Sequence, residues 1–169
     1  MADDDNAAGG VGPNGNGTNG AETIELDEMQ LAVKAQYVKD LSFENPSAPA
    51  GLMELHEEPE IDVNVNVEVA KLNNEDYEVA LTIGVDAKSG GTQLFICELS
   101  YGGVFGIGPT IPEEHHPPIL LIECARLLFP FARAIIADAT REGGFQPLLL
   151  QPLDFAALYE QQVEQGPPS

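Results

Sequence analysis

Apolar and polar residues alternate in four blocks along the first two thirds of the chain. Ile61–Val69 is the cleanest block: Ile61, Val63, Val65, Val67 and Val69 alternate with Asp62, Asn64, Asn66 and Glu68. Tyr77–Ala87 places Tyr77, Val79, Leu81, Ile83, Val85 and Ala87 opposite Glu78, Ala80, Thr82, Gly84 and Asp86. Thr92–Tyr101 sets Phe95, Cys97, Leu99 and Tyr101 against Thr92, Leu94, Ile96, Glu98 and Ser100. In Gln36–Glu44 the same rule puts Tyr37, Lys39, Leu41 and Phe43 on one face. Gln36, Val38, Asp40, Ser42 and Glu44 take the other. A period of two is the signature of a strand with one buried face. Four such strands joined by turn chemistry at Asn73–Asp76 and Lys88–Gly91 predict an antiparallel sheet with one side in water. Residues 22–34 have mixed spacing and fit either a short helix or a leading strand.

After a glycine-rich run, Gly102–Pro109, the pattern changes. Pro118 to Glu142 reads as a long helix, with Pro118 at its start and Gly143-Gly144 at its stop. A short helix follows from Asp154, a good N-cap, to about Gln165. The predicted architecture is α+β, a four-stranded antiparallel sheet packed on one long helix with a short C-terminal helix. Between Ile119 and Ala139 the charged positions are Glu123, Arg126, Arg133 and Asp138; the first three, with Pro130, form one narrow stripe. A helix that covers only its own sheet needs an apolar stripe of about 100°. This one is apolar over most of its circumference, which predicts a second copy of the chain against it, with Leu121, Cys124, Ala125, Leu128, Phe131 and Ile135 as the seam.

Charge narrows the function classes. The 169 residues carry 7 Lys+Arg against 28 Asp+Glu, a formal net charge of -21. A chain that acidic repels phosphate, so nucleic acid is not an expected partner, and a basic protein surface is. Cys97 and Cys124 sit inside apolar runs and fit buried, reduced thiols in a reducing compartment. The amino terminus lacks the basic start and apolar core of a secretory signal, and no apolar stretch is fit to span a bilayer. A cytoplasmic location without membrane insertion follows as the expectation. Residues 1–21, rich in Gly, Asn, Ala and Asp, are expected to be disordered; 22–165 form the domain and 166–169 a frayed tail.

Candidate chemistry is sparse. Glu113-Glu114-His115-His116 is the one cluster resembling a metal or acid–base site, but adjacent histidines point apart and fit a solvated loop between prolines better. The glycine-rich run lacks the lysine of a phosphate cradle, and no nucleophile motif is present. No catalytic constellation, metal or cofactor is expected. Two surfaces stand out instead. The predicted outer sheet face gathers Asp40, Glu44, Asp62, Glu68, Glu78, Asp86 and Glu98 around Leu94 and Ile96, which suits either plain solvation or docking of a basic partner. Irregular segments carry surplus apolar bulk at Leu52-Met53, Val104-Phe105, Phe145, Leu148–Leu150 and Phe155–Tyr159, which points to an exposed groove.

Several motifs then form a recognisable series. Lys39-Asp40-Leu41-Ser42-Phe43-Glu44-Asn45-Pro46, Tyr77-Glu78-Val79, Phe95-Ile96-Cys97-Glu98 and Tyr101-Gly102-Gly103-Val104-Phe105 come first. Leu128-Phe129-Pro130-Phe131-Ala132-Arg133 and Leu150-Gln151-Pro152-Leu153-Asp154-Phe155 complete it. In this order, over roughly residues 35–160, they resemble the SecB family of bacterial protein-export chaperones. The resemblance implies a homotetramer, a dimer of dimers with the long helices between the sheets. It also implies a non-enzymatic holdase that binds unfolded precursor proteins and passes them to the motor ATPase SecA. By position, Asp40, Glu44, Ile96 and Glu98 would dock the motor. Leu52, Ile61, Val63, Val65, Val104, Phe105, Phe155, Leu158 and Tyr159 would line the client groove. Two other readings stay open: a small α+β enzyme using His115 or His116 as a base, and a SecB-like relative serving a toxin–antitoxin pair.

Overall fold

The computed structural model describes residues 30–54 and 58–166. The expected tail over 1–21, residues 22–29 and the last three positions lie outside the described residues. Four strands, β1 (Leu31–Glu44), β2 (Glu60–Lys71), β3 (Asp76–Ser89) and β4 (Thr92–Ile107), form one antiparallel sheet in the order β1-β4-β3-β2. β2, β3 and β4 are successive hairpins, and β1 lies beside β4, which is Greek-key order. The long β1–β2 connection carries a single-turn helix, α1 (Ala50–Met53). The ambiguous segment before Gln36 is strand from Leu31 on.

Every expected strand is present and longer than its sequence pattern. β4 gains most: it runs on through Gly102–Ile107, which the sequence reading places after the sheet. Glycine weakens a strand whose side chains must pack, but here the missing side chains make room for neighbours. A Cβ at Gly103 would lie 2.8 Å from the Phe105 ring and 3.0 Å from Leu128 Cδ2; one at Gly102 would lie 2.8 Å from the Tyr37 ring.

β1 departs from simple alternation. Its register against β4 shifts between Val33 and Ala35 and again between Val38 and Asp40. Each shift inserts an extra residue and so reverses the faces on either side of it. Tyr37 therefore pairs with Gly102 on the outer face, and Gln36 and Val38 pair with Gly103 and Tyr101 on the inner face, opposite to the sequence expectation. Leu41 and Phe43 stay inside, and Asp40, Ser42 and Glu44 stay outside.

One helical path covers the inner face. It begins earlier than Pro118, with a 3-10 turn at Glu113–His115 and a three-residue helix, α2 (His116–Pro118). A π-helical segment, Ile119–Cys124, then leads into α3 (Ala125–Glu142). Pro117 and Pro118 sit in the first turn, where a missing N–H costs nothing. Gly144, at φ 93°, ends the path, with Gly143 N–H donating to Ala139 O at 2.9 Å and Phe145 N–H to Thr140 O at 3.1 Å. The last helix is α4 (Phe155–Gln165), whose cap is the expected one: Asp154 accepts from Ala157 N–H at 3.0 Å.

The core lies between α3 and the sheet. Val79, Leu81, Ile83, Cys97, Leu99 and Phe105 meet Cys124, Leu128, Ala132 and Ile136, all fully buried. This divides the expected seam, of which Phe131 is exposed and three members are buried. Cys124, Ala125 and Leu128 have no exposed surface left for a second chain; the free side of α3 carries Leu127 and Phe131, 43% and 51% exposed. Successive helical residues are ~100° apart, so a free stripe lies one position away from a buried one. Leu121 and Ile135 are half-buried at its margins.

Both thiols are sealed in the same core. Burial pushes the Cys124 thiol up to about 12, with the Glu123 charge adding to it, and raises Cys97 for the same reason. The neutral thiol is thus the favoured form at any ordinary pH, and the thiolate is the reactive species. Alkylation at pH 8 should proceed at the rate of unfolding and reach both cysteines together. Labelling of the native chain as fast as of a urea-unfolded one would contradict this.

Candidate functional site

The outer face is best described in rows that cross the sheet, fixed by strand register. Asp40, Ser100, Thr82 and Asn66 share one row; Ser42, Glu98, Gly84 and Asn64 share the next; Glu44, Ile96, Asp86 and Asp62 share the third. Asp40, Glu44, Ile96 and Glu98 thus lie together on β1 and β4 in three adjacent rows. A shallow hollow of about 200 Å³ lies between Asp40, Asn64, Asn66, Thr82, Glu98 and Ser100. The residue expected with Ile96, Leu94, is not there. Register shifts between Ala87 and Lys88, leaving Leu94 as the extra residue, and its side chain is buried on the other side.

In the opposite half of the same face both β3 carboxylates are paired with lysines, while Glu68 on β2 stays exposed. Lys34 donates to Asp76 at 2.5 Å and Lys39 to Glu78 at 2.6 Å, while the Tyr37 hydroxyl donates to the other Glu78 oxygen. The Lys39 and Tyr37 hydrogen bonds hold the Glu78 carboxyl below the usual carboxylate range. Burial, then Glu78, pushes the Tyr37 phenol up to about 12. The Lys34 and Asn73 hydrogen bonds lower Asp76 likewise.

On the inner face an apolar cleft of about 360 Å³ opens at one end of the sheet. Leu52 of α1, Ile61 at the start of β2, Leu94 and Phe95 of β4, and Phe145 and Leu148 beyond α3 line it. The segment after α3 is held along the helix by polar contacts. Thr140 Oγ1, buried, accepts from Leu148 N–H at 2.9 Å, Arg133 Nε donates to Leu150 O at 2.7 Å, and Asn45 Nδ2 donates to Gly143 O at 3.0 Å. Phe43, Phe95 and Phe145 form one aromatic group, with Phe95 and Phe145 centroids 4.9 Å apart.

The expected groove residues therefore divide. Leu52 and Ile61 line the cleft, and Val63 and Val65 continue from Ile61 on the same face of β2, Val63 being 42% exposed. Phe105 and Phe155 are interior residues; Phe155 meets Phe129 edge-on at 5.9 Å. Val104 faces the other way, beside Ala35 and Glu78 on the outer face. Leu158 and Tyr159 are half-buried on α4, away from the cleft lining. Phe145 and Leu148, which the sequence marks as surplus apolar bulk in an irregular segment, line the cleft, and the residues the sequence reading leaves out are Leu94 and Phe95.

The double histidine is structural. His116 Nε2 lies 3.0 Å from Ile111 O, which can only accept, so Nε2 carries the proton and Nδ1 accepts from the Tyr77 hydroxyl at 3.0 Å. Both ring nitrogens are occupied, and His115 faces solvent beside Glu114. His116 and Tyr77 wall a second hollow of about 320 Å³ with Val69, Lys71, Leu120 and Leu121. Among the described residues no group of three or more His, Cys, Asp and Glu is placed to hold a metal ion, and no helix is long and apolar enough to cross a membrane.

The family model described as preprotein translocase subunit SecB matches residues 25–166. A protein-export protein SecB of Rhodopseudomonas palustris is 51% identical over 155 residues, covering 89% of this chain and 98% of that one. Another, from Mesorhizobium japonicum, is 50% identical and covers 96% and 93%. Among solved structures, a Mycobacterium tuberculosis SecB-like chaperone in complex with an antitoxin peptide superposes with a TM-score of 0.62 at 13% identity. The match spans 73% of this chain and 91% of that one, a likeness of fold.

Proposed function

The chain belongs to the SecB family and is an export chaperone, and from that premise we propose that it acts as a cytoplasmic tetramer that holds unfolded precursors in its apolar cleft and hands them to SecA. The observation that carries this reading is the separation of two surfaces on one sheet. The inner face opens an apolar cleft and the outer face presents carboxylates around one isoleucine. Apolar contact recognises extended chain without reading its sequence, which is what a holdase requires, and it withdraws the client from folding by mass action. The acidic face, led by Asp40, Glu44, Ile96 and Glu98, attracts a basic motor surface and sets its orientation.

Assembly follows from exposed apolar surface elsewhere. Val33, Val38 and Leu41 on the inner face of edge strand β1 are each about half exposed. Phe131 stacks on Tyr101, itself paired with Val38, at 6.2 Å. With Leu127 these residues form an apolar strip across β1 and α3 that a second copy would cover. This strip keeps Phe131 of the seam predicted from sequence and leaves out its buried members Cys124, Ala125 and Leu128.

Sedimentation of the purified chain, with and without a precursor trapped unfolded, tests the reading. The expected species is near 72 kDa (four times 18.0 kDa) and retains the unfolded precursor but not its folded form. Leu52→Asp, at an exposed cleft position, should lower client retention by about tenfold and leave the assembly unchanged. Glu98→Lys should abolish motor binding and leave client retention unchanged. A chain that ignores unfolded precursor, or a Glu98→Lys variant that binds the motor normally, would overturn the corresponding half.

A further inference from the structure

We propose that the partner of the outer face docks across the sheet, along the row Glu44–Ile96–Asp86–Asp62, and that Tyr37, Lys34 and Lys39 bias it toward that end by pairing Asp76 and Glu78, the β3 carboxylates of the other end. The proposal rests on the reading of that face as the motor's docking surface and assigns its extent and specificity.

Register supplies the first part. Ile96 has Glu44 as its neighbour on β1 and Asp86 as its neighbour on β3, and Asp62 lies beyond on β2. The isoleucine is flanked by acid on both sides, so a footprint centred on it extends over β3 and β2 as naturally as over β1. Asp86 stands directly opposite Asp62, and like charges in that position weaken a sheet; Lys88 Nζ lies 3.9 Å from Asp86, beyond hydrogen-bonding reach, and offsets this only in part. A lysine or arginine of the partner laid over the pair would relieve that repulsion, whereas Glu44 alone offers no such gain. Four strands ~4.8 Å apart make a row of ~14 Å, the reach of a short basic segment with one apolar residue.

The second part comes from the glycines of β4. Gly102 and Gly106 face outward, and their missing side chains leave channels over the central strand. Tyr37 and Lys39 cross the first channel to reach Glu78, two strands away; a Cβ at Gly102 would lie 2.8 Å from Tyr37 Cε2 and 3.2 Å from Lys39 Cδ. Lys34 crosses the second to reach Asp76, and a Cβ at Gly106 would lie 2.9 Å from Lys34 Cε. The β3 carboxylates of this half are thus already paired. On a face acidic from end to end, a basic partner could settle in several registers. Pairing the β3 carboxylates of one half disfavours the wrong ones, which is specificity by exclusion.

Motor binding to the full chain, measured by calorimetry at about 0.15 M ionic strength, tests the row. Asp62→Asn with Asp86→Asn should weaken binding at least about fivefold. Glu113→Gln with Glu114→Gln removes the same charge away from the sheet face and should change it less than about twofold. Because Asp86 also accepts from Gln93, exposed Asp62→Asn alone serves as a variant that leaves the sheet untouched, and it should still weaken binding measurably. For the boundary, a photo-reactive side chain at Ser42 should cross-link to the motor, and one at Val104 should not. Adding Tyr37→Phe and Lys39→Met frees Glu78 and should bring Val104 into cross-linking. The proposal is overturned if the aspartate pair behaves like the loop pair, or if the freed Glu78 leaves the cross-links unchanged. Loss of binding in Glu98→Lys with no effect of the aspartates sinks the row alone. No effect in Glu98→Lys sinks the docking face itself.

Discussion

Phe131→Asp combined with Leu127→Asp should leave a folded chain that no longer sediments as a tetramer. Leu128→Asp, one residue from Leu127, should leave no folded chain at all. The two outcomes separate because α3 has two apolar sides. Leu128 is fully buried, within reach of Gly103 on the sheet, and even its truncation to alanine costs about 2–5 kcal/mol. A carboxylate there exceeds the whole stability of an ordinary domain of this size. Leu127 and Phe131 are already about half in water, so completing their burial contributes ~1 kcal/mol each. A two-fold seam contains each twice, for ~4 kcal/mol, or about a thousandfold in the association constant. Circular dichroism and sedimentation run side by side decide it. Intact tetramer in the double variant would move the seam elsewhere.

The second large effect is expected at Gly143. Its backbone is ordinary helical, with φ -73°, so conformational freedom is not why glycine stands there. The reason is Phe43: a Cβ at Gly143 would lie 2.3 Å from Phe43 Cζ and 2.4 Å from Cε1. The ring cannot retreat freely, because it stacks on Phe95 at 5.5 Å and meets Phe145 at 6.5 Å. Gly143→Ala should therefore cost about 1–3 kcal/mol and lower Tm by roughly 3–10 °C. Phe95 and Phe145 also line the apolar cleft, so client retention should fall with stability. Adding Phe43→Leu should recover much of the loss. A double variant no better than the single one would place the strain elsewhere.

Much of this fold was legible from alternation, and the errors share a physical cause. The faces of Ile61–Val69 and Tyr77–Ala87 came out correctly because no residue is inserted in those stretches. The start of β1 and Leu94 came out reversed because a bulge adds one residue, and a pattern with period two cannot register that. Glycine disfavours strands locally, so the run Gly102–Pro109 reads as the end of the sheet; its use in letting Leu128, Phe105 and Tyr37 approach is a tertiary effect. The candidate docking residues were found together because they alternate on one face of two paired strands. The lining of the apolar cleft is legible in the sequence only in part. Phe105 and Phe155 belong to the core, Val104 lies on the far face, and Phe145 and Leu148 are delivered by a segment without periodicity, pinned by Thr140 and Arg133.

Edge strand β2 has a further consequence. It carries Ile61, Val63, Val65, Val67 and Val69 in a stretch free of proline, with no strand paired to its outer edge among the described residues. β-branched, extended and open on one side, this is the kind of segment on which fibrils nucleate. Glu60, Asp62 and Glu68, interleaved with the valines, act as its gatekeepers by keeping one copy's edge from zipping onto another's. An export chaperone thus carries an aggregation template of its own, held in check by three carboxylates.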